Sequence, residues 1–195
     1  MSDAAAQIDP LMEQASQALT QTDYLRCERL CVEALTMARQ AEDFDRYARI
    51  LLPLQEARRQ RRQAALDLGV TVLTARPADA VVESLLDAHQ AGCLLLIDPP
   101  FTADDEHRLR ETALQRELMV EVLRLDQQRL RSTFEHEMEL LGDTQLTTVP
   151  RTGSVLQRLD ALATVLDRVG DHEIAHQRLA EAARQASHEQ AAKHS

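Results

Sequence analysis

The chain has 195 residues, of which 44% are hydrophobic, and a formal net charge of −10 at pH 7. A chain of this length and composition is expected to fold around one sizeable core or two small ones. It holds no apolar run near the ~20 residues that cross a bilayer, and its start lacks the basic and apolar blocks of a secretory leader. We therefore expect a cytoplasmic protein with no membrane partner.

The distribution of charge argues against a nucleic-acid ligand. Residues 67–150 carry 7 basic and 16 acidic side chains, so this middle third holds −9 of the net charge. Binding a phosphate backbone needs clustered positive charge instead. The one basic cluster, ARRQRRQ at residues 57–63, is predicted to be a solvated helix face. Only Lys193 among the 22 basic residues is a lysine, a bias that suggests a GC-rich bacterial genome.

Helical patterns fill the N-terminal third. Asp9 and Pro10 are typical of an N-cap followed by the first helical residue, which predicts that the first helix begins there. Apolar stripes at helical spacing predict two further helices, over residues 23–40 and 43–69. Pro53 lies inside the last of these patterns, and its missing N–H predicts a kink.

The middle of the chain has the pattern of a small α/β unit. Apolar runs at residues 70–75 and 93–98 predict two strands that are buried on both faces, and residues 119–125 predict a third strand. Amphipathic segments between them predict two helices, the first ending at Gly92 and the second capped by Thr102. Strands that alternate with helices predict a parallel sheet in a βαβαβ arrangement.

Helical patterns return towards the C-terminus. Residues 126–142 predict one helix, and Ser154 with Gln157 forms a capping box that begins another. The sequence thus predicts a mixed α/β, helix-rich fold, with helical regions at both ends of a small three-stranded parallel unit. We expect the three regions to form one joined structural unit, with boundaries at residues 1–68, 69–125 and 126–195.

Two segments share a pattern of large and small residues around a turn. The C-terminal pattern comprises Leu159, Leu162, Ala163, Leu166, Gly170, Asp171, Ala175, Leu179 and Ala182. The N-terminal pattern comprises Leu11, Ala15, Ala18, Asp23, Tyr24, Cys27, Cys31 and Ala34. Over about 60 of the 195 residues the chain resembles the tetratricopeptide repeat. It departs from that pattern at Gln14, at Thr22 in place of the turn glycine, and at His172 in place of the turn aromatic.

The resemblance implies antiparallel helical hairpins with a surface that binds another protein. We accordingly predict a non-enzymatic module for protein interaction or self-association, with a protein partner or a second copy of the chain. Neither a cofactor nor a nucleic acid is predicted as a ligand. Three cysteines, Cys27, Cys31 and Cys93, are predicted to be reduced and buried, because their number is odd and no C-x-x-C pair occurs.

A zinc-dependent hydrolase is an alternative function. Residues 172–176 read HEIAH, and two histidines four residues apart on a helix can share a zinc ion while the glutamate acts as general base. The third histidine of the metzincin pattern is missing, because Ala182 stands at that position. In the repeat frame, His172 is expected to be solvated at the turn and His176 to lie one position off the packing stripe.

A small-ligand or nucleotide binder is the second alternative. The carboxyl ends of parallel strands are a common place for ligands, which makes Arg76, Asp98 and Asp126 candidate ligand-binding residues. Residues 98–101 also resemble the D-P-P-F motif of amino-group methyltransferases. That resemblance implies that Asp98 and Phe101 hold a flipped base, but no glycine-rich loop for S-adenosylmethionine follows the first strand.

Overall fold

The structure is a computed structural model, and it describes residues 3–76, 81–126, 149–150 and 153–193. Its helices are α1 (Asp3–Thr20), α2 (Tyr24–Gln40), α3 (Phe44–Asp67), α4 (Leu85–Ala88), α5 (Ala103–Gln115), α6 (Val155–Val169) and α7 (Glu173–Lys193). Its strands are β1 (Val70–Leu73), β2 (Ala91–Asp98) and β3 (Met119–Asp126). The predicted mixed α/β, helix-rich fold with a small three-stranded parallel sheet is confirmed. The helix predicted over residues 126–142 lies outside the described residues.

The chain divides into two compact units. One comprises Met1–Arg59 and Leu140–Ser195, and we call it the helical unit. The other comprises Gln60–Glu139, and we call it the sheet unit. Helix α3 runs from the first unit into the second, because the boundary falls between Arg59 and Gln60.

In the helical unit, helices α1, α2, α3, α6 and α7 share one hydrophobic core. Small side chains let antiparallel helices approach closely, and the fully or almost fully buried alanines of this core are Ala15, Ala18, Ala34, Ala38, Ala57, Ala175 and Ala183. Ion pairs add ties between elements: Arg39 of α2 donates to both carboxylate oxygens of Asp160 on α6, each at 2.9 Å. The core therefore depends on residues from both ends of the chain.

Three turns of this unit contain a residue in the left-handed region. These residues are Thr22, Glu42 and Gly170, with φ values of 61°, 52° and 69°. Directly after the first two turns, Asp23 and Asp43 accept hydrogen bonds from backbone N–H groups at 3.2 and 3.0 Å, which caps α2 and α3. A non-glycine residue is thus tolerated at two of these turns, where the following aspartate stabilises the next helix.

Pro10 does not mark the start of a helix, although the sequence predicts that it does. Helix α1 begins at Asp3 and contains Pro10 in its interior. Pro10 removes one backbone donor, but Ile8 in the preceding turn is fully buried and anchors that turn in the core. Helix α3 likewise continues through Pro53, with Ile50 and Leu54 buried on either side. Tertiary packing outweighs the local signal at Pro10, whereas at Pro53 the helix continues as the sequence predicts.

The sheet unit has strand order β1-β2-β3, with parallel pairing throughout. One sheet face builds a core from Leu94, Leu96, Val120 and Val122 with residues of the flanking helices. The expected burial on both faces holds for β2 but is wrong for β1, where Val70 and Val72 are 49% and 51% exposed. Among the described residues, β1 pairs with β2 alone and so lies at an edge of the sheet.

The segment before β2 also differs from the predicted helix. A 3-10 turn (Val82–Ser84) and the single turn of α4 replace it, and Gly92 lies inside β2. Gly92 has φ +102°, and a Cβ placed on it would come within 2.9 Å of the carbonyl oxygen of Gly69. The glycine is therefore required by the close approach of two backbone segments, and it does not end a helix.

Replacing Gly92 with alanine should destabilise the chain more than replacing Gly69. Both glycines have positive φ, so either alanine is strained by about 1–3 kcal/mol. Only at Gly92 does the new Cβ also meet a backbone atom, whereas nothing lies within 4 Å at Gly69. Urea unfolding followed by circular dichroism should show a larger loss of unfolding free energy for Gly92→Ala. Equal losses would contradict the close approach.

Candidate functional site

The HEIAH segment begins helix α7, where His172 acts as a capping residue. Its Nδ1 accepts a hydrogen bond from the backbone N–H of Ala175 at 3.2 Å, and its side chain is buried. The expectation of a solvated turn residue is therefore wrong. Capping requires an unprotonated Nδ1, so this nitrogen is already used by the helix and is unavailable to a metal ion.

His176 lies in the core of the helical unit. The repeat frame predicts instead that it lies one position off the packing stripe. It is 2% exposed, and within the described part of the chain neither of its ring nitrogens has a hydrogen-bond partner. Burial, the charge of Arg58 and the neighbouring His172 lower the pKa of His176 from its ordinary value of 6.5 to about 3. The imidazole is therefore uncharged at neutral pH.

The two histidines do not form a metal centre with other side chains that the structure describes. In those ranges, no group of three or more histidine, cysteine, aspartate or glutamate residues is placed to hold a metal ion. A catalytic zinc site needs three protein ligands and an open position. Among the described residues, the zinc alternative is therefore supported only by the four-residue spacing of His172 and His176.

A buried ion pair lies beside His176. Arg58 Nε donates to Glu28 Oε1 at 2.8 Å, and the two side chains are only 7% and 5% exposed. Considering the residues that are described, Nη1 of Arg58 has no hydrogen-bond acceptor. We call Glu28, Arg58 and His176 the buried polar cluster. Its three members come from α2, α3 and α7, and all are buried.

The ARRQRRQ segment is only partly the solvated face that its sequence predicts. Arg59 is exposed, but Arg58 and Arg61 are buried. Arg61 Nη1 lies 3.0 Å from Glu121 Oε2 in the sheet unit and also donates to the carbonyl oxygen of Val120. These arginines are structural cations whose acidic partners lie far away in the sequence.

All three cysteines are free and buried, as predicted. A hydrogen bond between the thiols of Cys27 and Cys31 lowers the pKa of Cys27 and raises that of Cys31. Burial raises the pKa of Cys93 to about 12. Their burial keeps these thiols from acting as accessible nucleophiles.

At the carboxyl edge of the sheet, the structure places the predicted ligand-binding residues in separate ion pairs. Asp98 and Asp126 are Cα partners at the ends of β2 and β3, and the side chain of Asp126 lies outside the described residues. Arg76 lies 3.1 Å from Asp105 in the first turn of α5. Asp98 pairs instead with Arg124.

Sequence reasoning missed Arg124 as a member of this edge. Its Nε also lies 3.5 Å from Glu106, whose pKa is raised by burial. The signal in the sequence that could have identified it is a charged residue, Arg124, near the carboxyl end of the mainly apolar strand MVEVLRL. Phe101, which the methyltransferase motif would stack on a base, is fully buried in the core of the sheet unit.

The helical unit contains a cleft of about 190 Å³ between α2, α3, α6 and α7, which we call the interhelical cleft. Its apolar walls are formed by Val32, Leu35, Leu54, Ala163, Leu166 and Leu179. Val32 remains 42% exposed at this cleft. Its polar groups come from Thr36, Arg39, Tyr47, Arg58 and Asp167, and burial raises the pKa of Tyr47 to about 12.

Comparisons with protein-family models, with curated proteins and with solved structures find no match for this chain. Among the helices that the structure describes, none is both long and apolar enough to cross a membrane.

His176→Leu should make the chain less sensitive to acid. The unfolded chain binds a proton near pH 6.5 that the folded core excludes down to about pH 3, so stability falls as pH decreases through this range. Leucine removes this loss of stability and also the unpaired nitrogens. We therefore expect the unfolding free energy of the variant, relative to that of the unsubstituted chain, to rise by about 2–3 kcal/mol from pH 7 to pH 4. Urea unfolding at both pH values measures it.

The matched control is His188→Leu, because His188 is exposed on the same helix. The difference in unfolding free energy between this variant and the unsubstituted chain should be nearly the same at pH 7 and pH 4. The same pH dependence in both variants would show that His176 is not excluded from protonation.

Protein purified without a metal-affinity tag should contain far less than one zinc ion per chain. The basis is that His172 Nδ1 caps α7 and that His176 is buried. Elemental analysis by mass spectrometry gives the ratio directly. A stoichiometry near one would instead support the hydrolase alternative.

Proposed function

We propose that this chain is a non-enzymatic protein-interaction module and that its partner binds in the interhelical cleft. The observation that carries the proposal is an open cleft with apolar walls contributed by four helices. Apolar side chains at such a cleft are typical anchors for a partner's helix or extended segment. The resemblance of the hairpins to the tetratricopeptide repeat supports the same function.

The hairpin geometry adds support. Three turns carry a left-handed residue, and two of them are followed by a capping aspartate. Buried alanines let the helices of a pair approach closely, and the larger apolar residues of the cleft come from four helices. An interaction surface built this way needs no catalytic group.

The groups that suggested chemistry have structural roles where they are described. His172 caps a helix, and Asp98 and Arg76 pair with Arg124 and Asp105. His176 is buried away from solvent. A module that binds another protein would explain the exposed apolar cleft, and it requires no catalytic chemistry from these side chains.

Val32→Asp should weaken association, because it places a charge on the apolar wall of the cleft. We expect at least a tenfold loss of affinity, since a buried unpaired carboxylate is costly. Self-association is measured by sedimentation equilibrium over a range of concentrations, and a partner identified by co-purification is measured by calorimetry.

The matched control is Leu52→Asp on α3. Leu52 is 73% exposed and does not line the interhelical cleft. Both substitutions lie at exposed positions and should leave the circular dichroism spectrum unchanged. The proposal fails if the chain is a monomer at all concentrations and has no partner, or if both variants weaken association equally.

A further inference from the structure

We propose that the outer edge of β1 pairs with β1 of a second copy of the chain, in antiparallel orientation across a two-fold axis. This interface belongs to the sheet unit and does not depend on the interhelical cleft. Backbone groups of Val70 and Val72 supply its hydrogen bonds, and it joins the described three-stranded sheets of two chains into one continuous sheet.

The first support is the direction of the backbone groups in β1. The carbonyl oxygen of Gly69 accepts a hydrogen bond from the N–H of Cys93 at 2.9 Å, and Cys93 is the Cα partner of Val70 in the parallel ladder. Successive residues of a strand point their backbone groups to opposite sides, so Thr71 also faces β2, whereas Val70 and Val72 point their N–H and C=O groups outward. Within the described ranges, these outward groups have no backbone hydrogen-bond partner.

The second support is that this edge is exposed and uncharged. Val70 and Val72 are 49% and 51% exposed, and Leu68 just before the strand is 63% exposed. Thr71, whose side chain lies on the opposite face of the sheet, is exposed as well. Residues 68–75 contain neither a charged residue nor a proline, which are common means of preventing strand addition at an edge. The edge is therefore able to receive another strand.

The outward groups are complementary to those of a second copy. In an antiparallel pair centred on Thr71, Val70 of each copy lies opposite Val72 of the other, and each such pair exchanges two N–H···O bonds. Both outward donors and both outward acceptors of each chain are then satisfied. Thr71 lies opposite Thr71 of the other copy in a pair without backbone hydrogen bonds, where side chains come closest and threonine pairs are favourable. The two-fold axis makes the interface self-limiting.

Charges on either side of β1 favour the antiparallel orientation. Asp67 precedes the strand and Arg76 follows it, and both are exposed. Antiparallel pairing places Asp67 of one copy at the same end as Arg76 of the other, whereas parallel pairing would bring the two Asp67 carboxylates together. The uncharged centre also lets two chains with a net charge of −10 each approach at this edge without a direct like-charge contact.

The register is tested with two charge substitutions in the full chain. Val70→Lys or Val72→Glu alone places a charge opposite a valine of the other copy. We expect either change to raise the dissociation constant of the dimer at least about tenfold, measured by sedimentation equilibrium. The double variant places the new lysine opposite the new glutamate of the other copy, so it should recover most of the lost affinity.

The matched controls are Val81→Lys and Val81→Glu. Val81 is a 68% exposed residue of the same unit and lies outside β1. These variants make the same changes in net charge, and they should leave the dissociation constant of the dimer nearly unchanged. Because β1 has only four residues, the interface is small, and the measurement extends to the highest soluble concentration.

A second measurement addresses the backbone hydrogen bonds. Val72→Pro removes an outward N–H and no hydrogen bond to β2, so it should weaken the dimer at least about tenfold while the chain remains folded by circular dichroism. Val72→Thr keeps the N–H and the branched shape and should have little effect. The charge-pair experiment decides the question alone if the proline variant does not fold.

The outcomes separate this interface from the proposed function. A monomer at every concentration, no recovery in the double variant, or equal effects of the Val70 and Val81 substitutions would overturn the β1 interface. If Val32→Asp dissociates the chains and Val70→Lys does not, association belongs to the cleft, and the proposed function stands without this inference. If Val70→Lys dissociates the dimer and Val32→Asp affects neither the dimer nor any partner, the proposed function fails and the β1 interface stands.

Discussion

The pairing of Arg58 with Glu28 is the constraint on which the helical unit depends. Both side chains are almost fully buried, and either charge alone in this interior would cost several kcal/mol. Helices α2 and α3 must therefore pack in the one register that brings the guanidinium to the carboxylate. The same register fixes the position of Arg58 in the interhelical cleft and places its charge near His176.

One turn further along α3, the same principle operates in the sheet unit. Arg61 pairs with Glu121 of β3, and Arg62 lies 3.5 Å from the same carboxylate. The short segment ARRQRRQ thus supplies buried cations to both units. Its local pattern predicted a solvated face because the partner acids are 30 residues upstream, at Glu28, and about 60 residues downstream, at Glu121. No pattern within one helix contains that information.

Local signals predicted much of the fold, and tertiary contacts explain where they failed. The capping boxes at Thr102 and Ser154 occur where the sequence places them, because each is complete within four residues. Helix α1 begins early because Ile8 packs in the core, and Gly92 lies in a strand because it approaches Gly69. Both facts depend on residues that are distant in sequence or on packing against other elements.

The candidate site divides in the same way. The spacing of HEIAH correctly places two histidines on or next to one helix, but spacing does not reveal that one caps the helix and the other is buried. The pKa of His176, about 3, keeps the imidazole beside Arg58 neutral throughout the physiological range. The ionic groups at the interhelical cleft are therefore Arg39, Arg58 and Asp167, with Asp160 and Glu28 paired to the two arginines. The buried histidine thus adds no charge to this part of the core at neutral pH, and apolar side chains of four helices form the walls of the cleft.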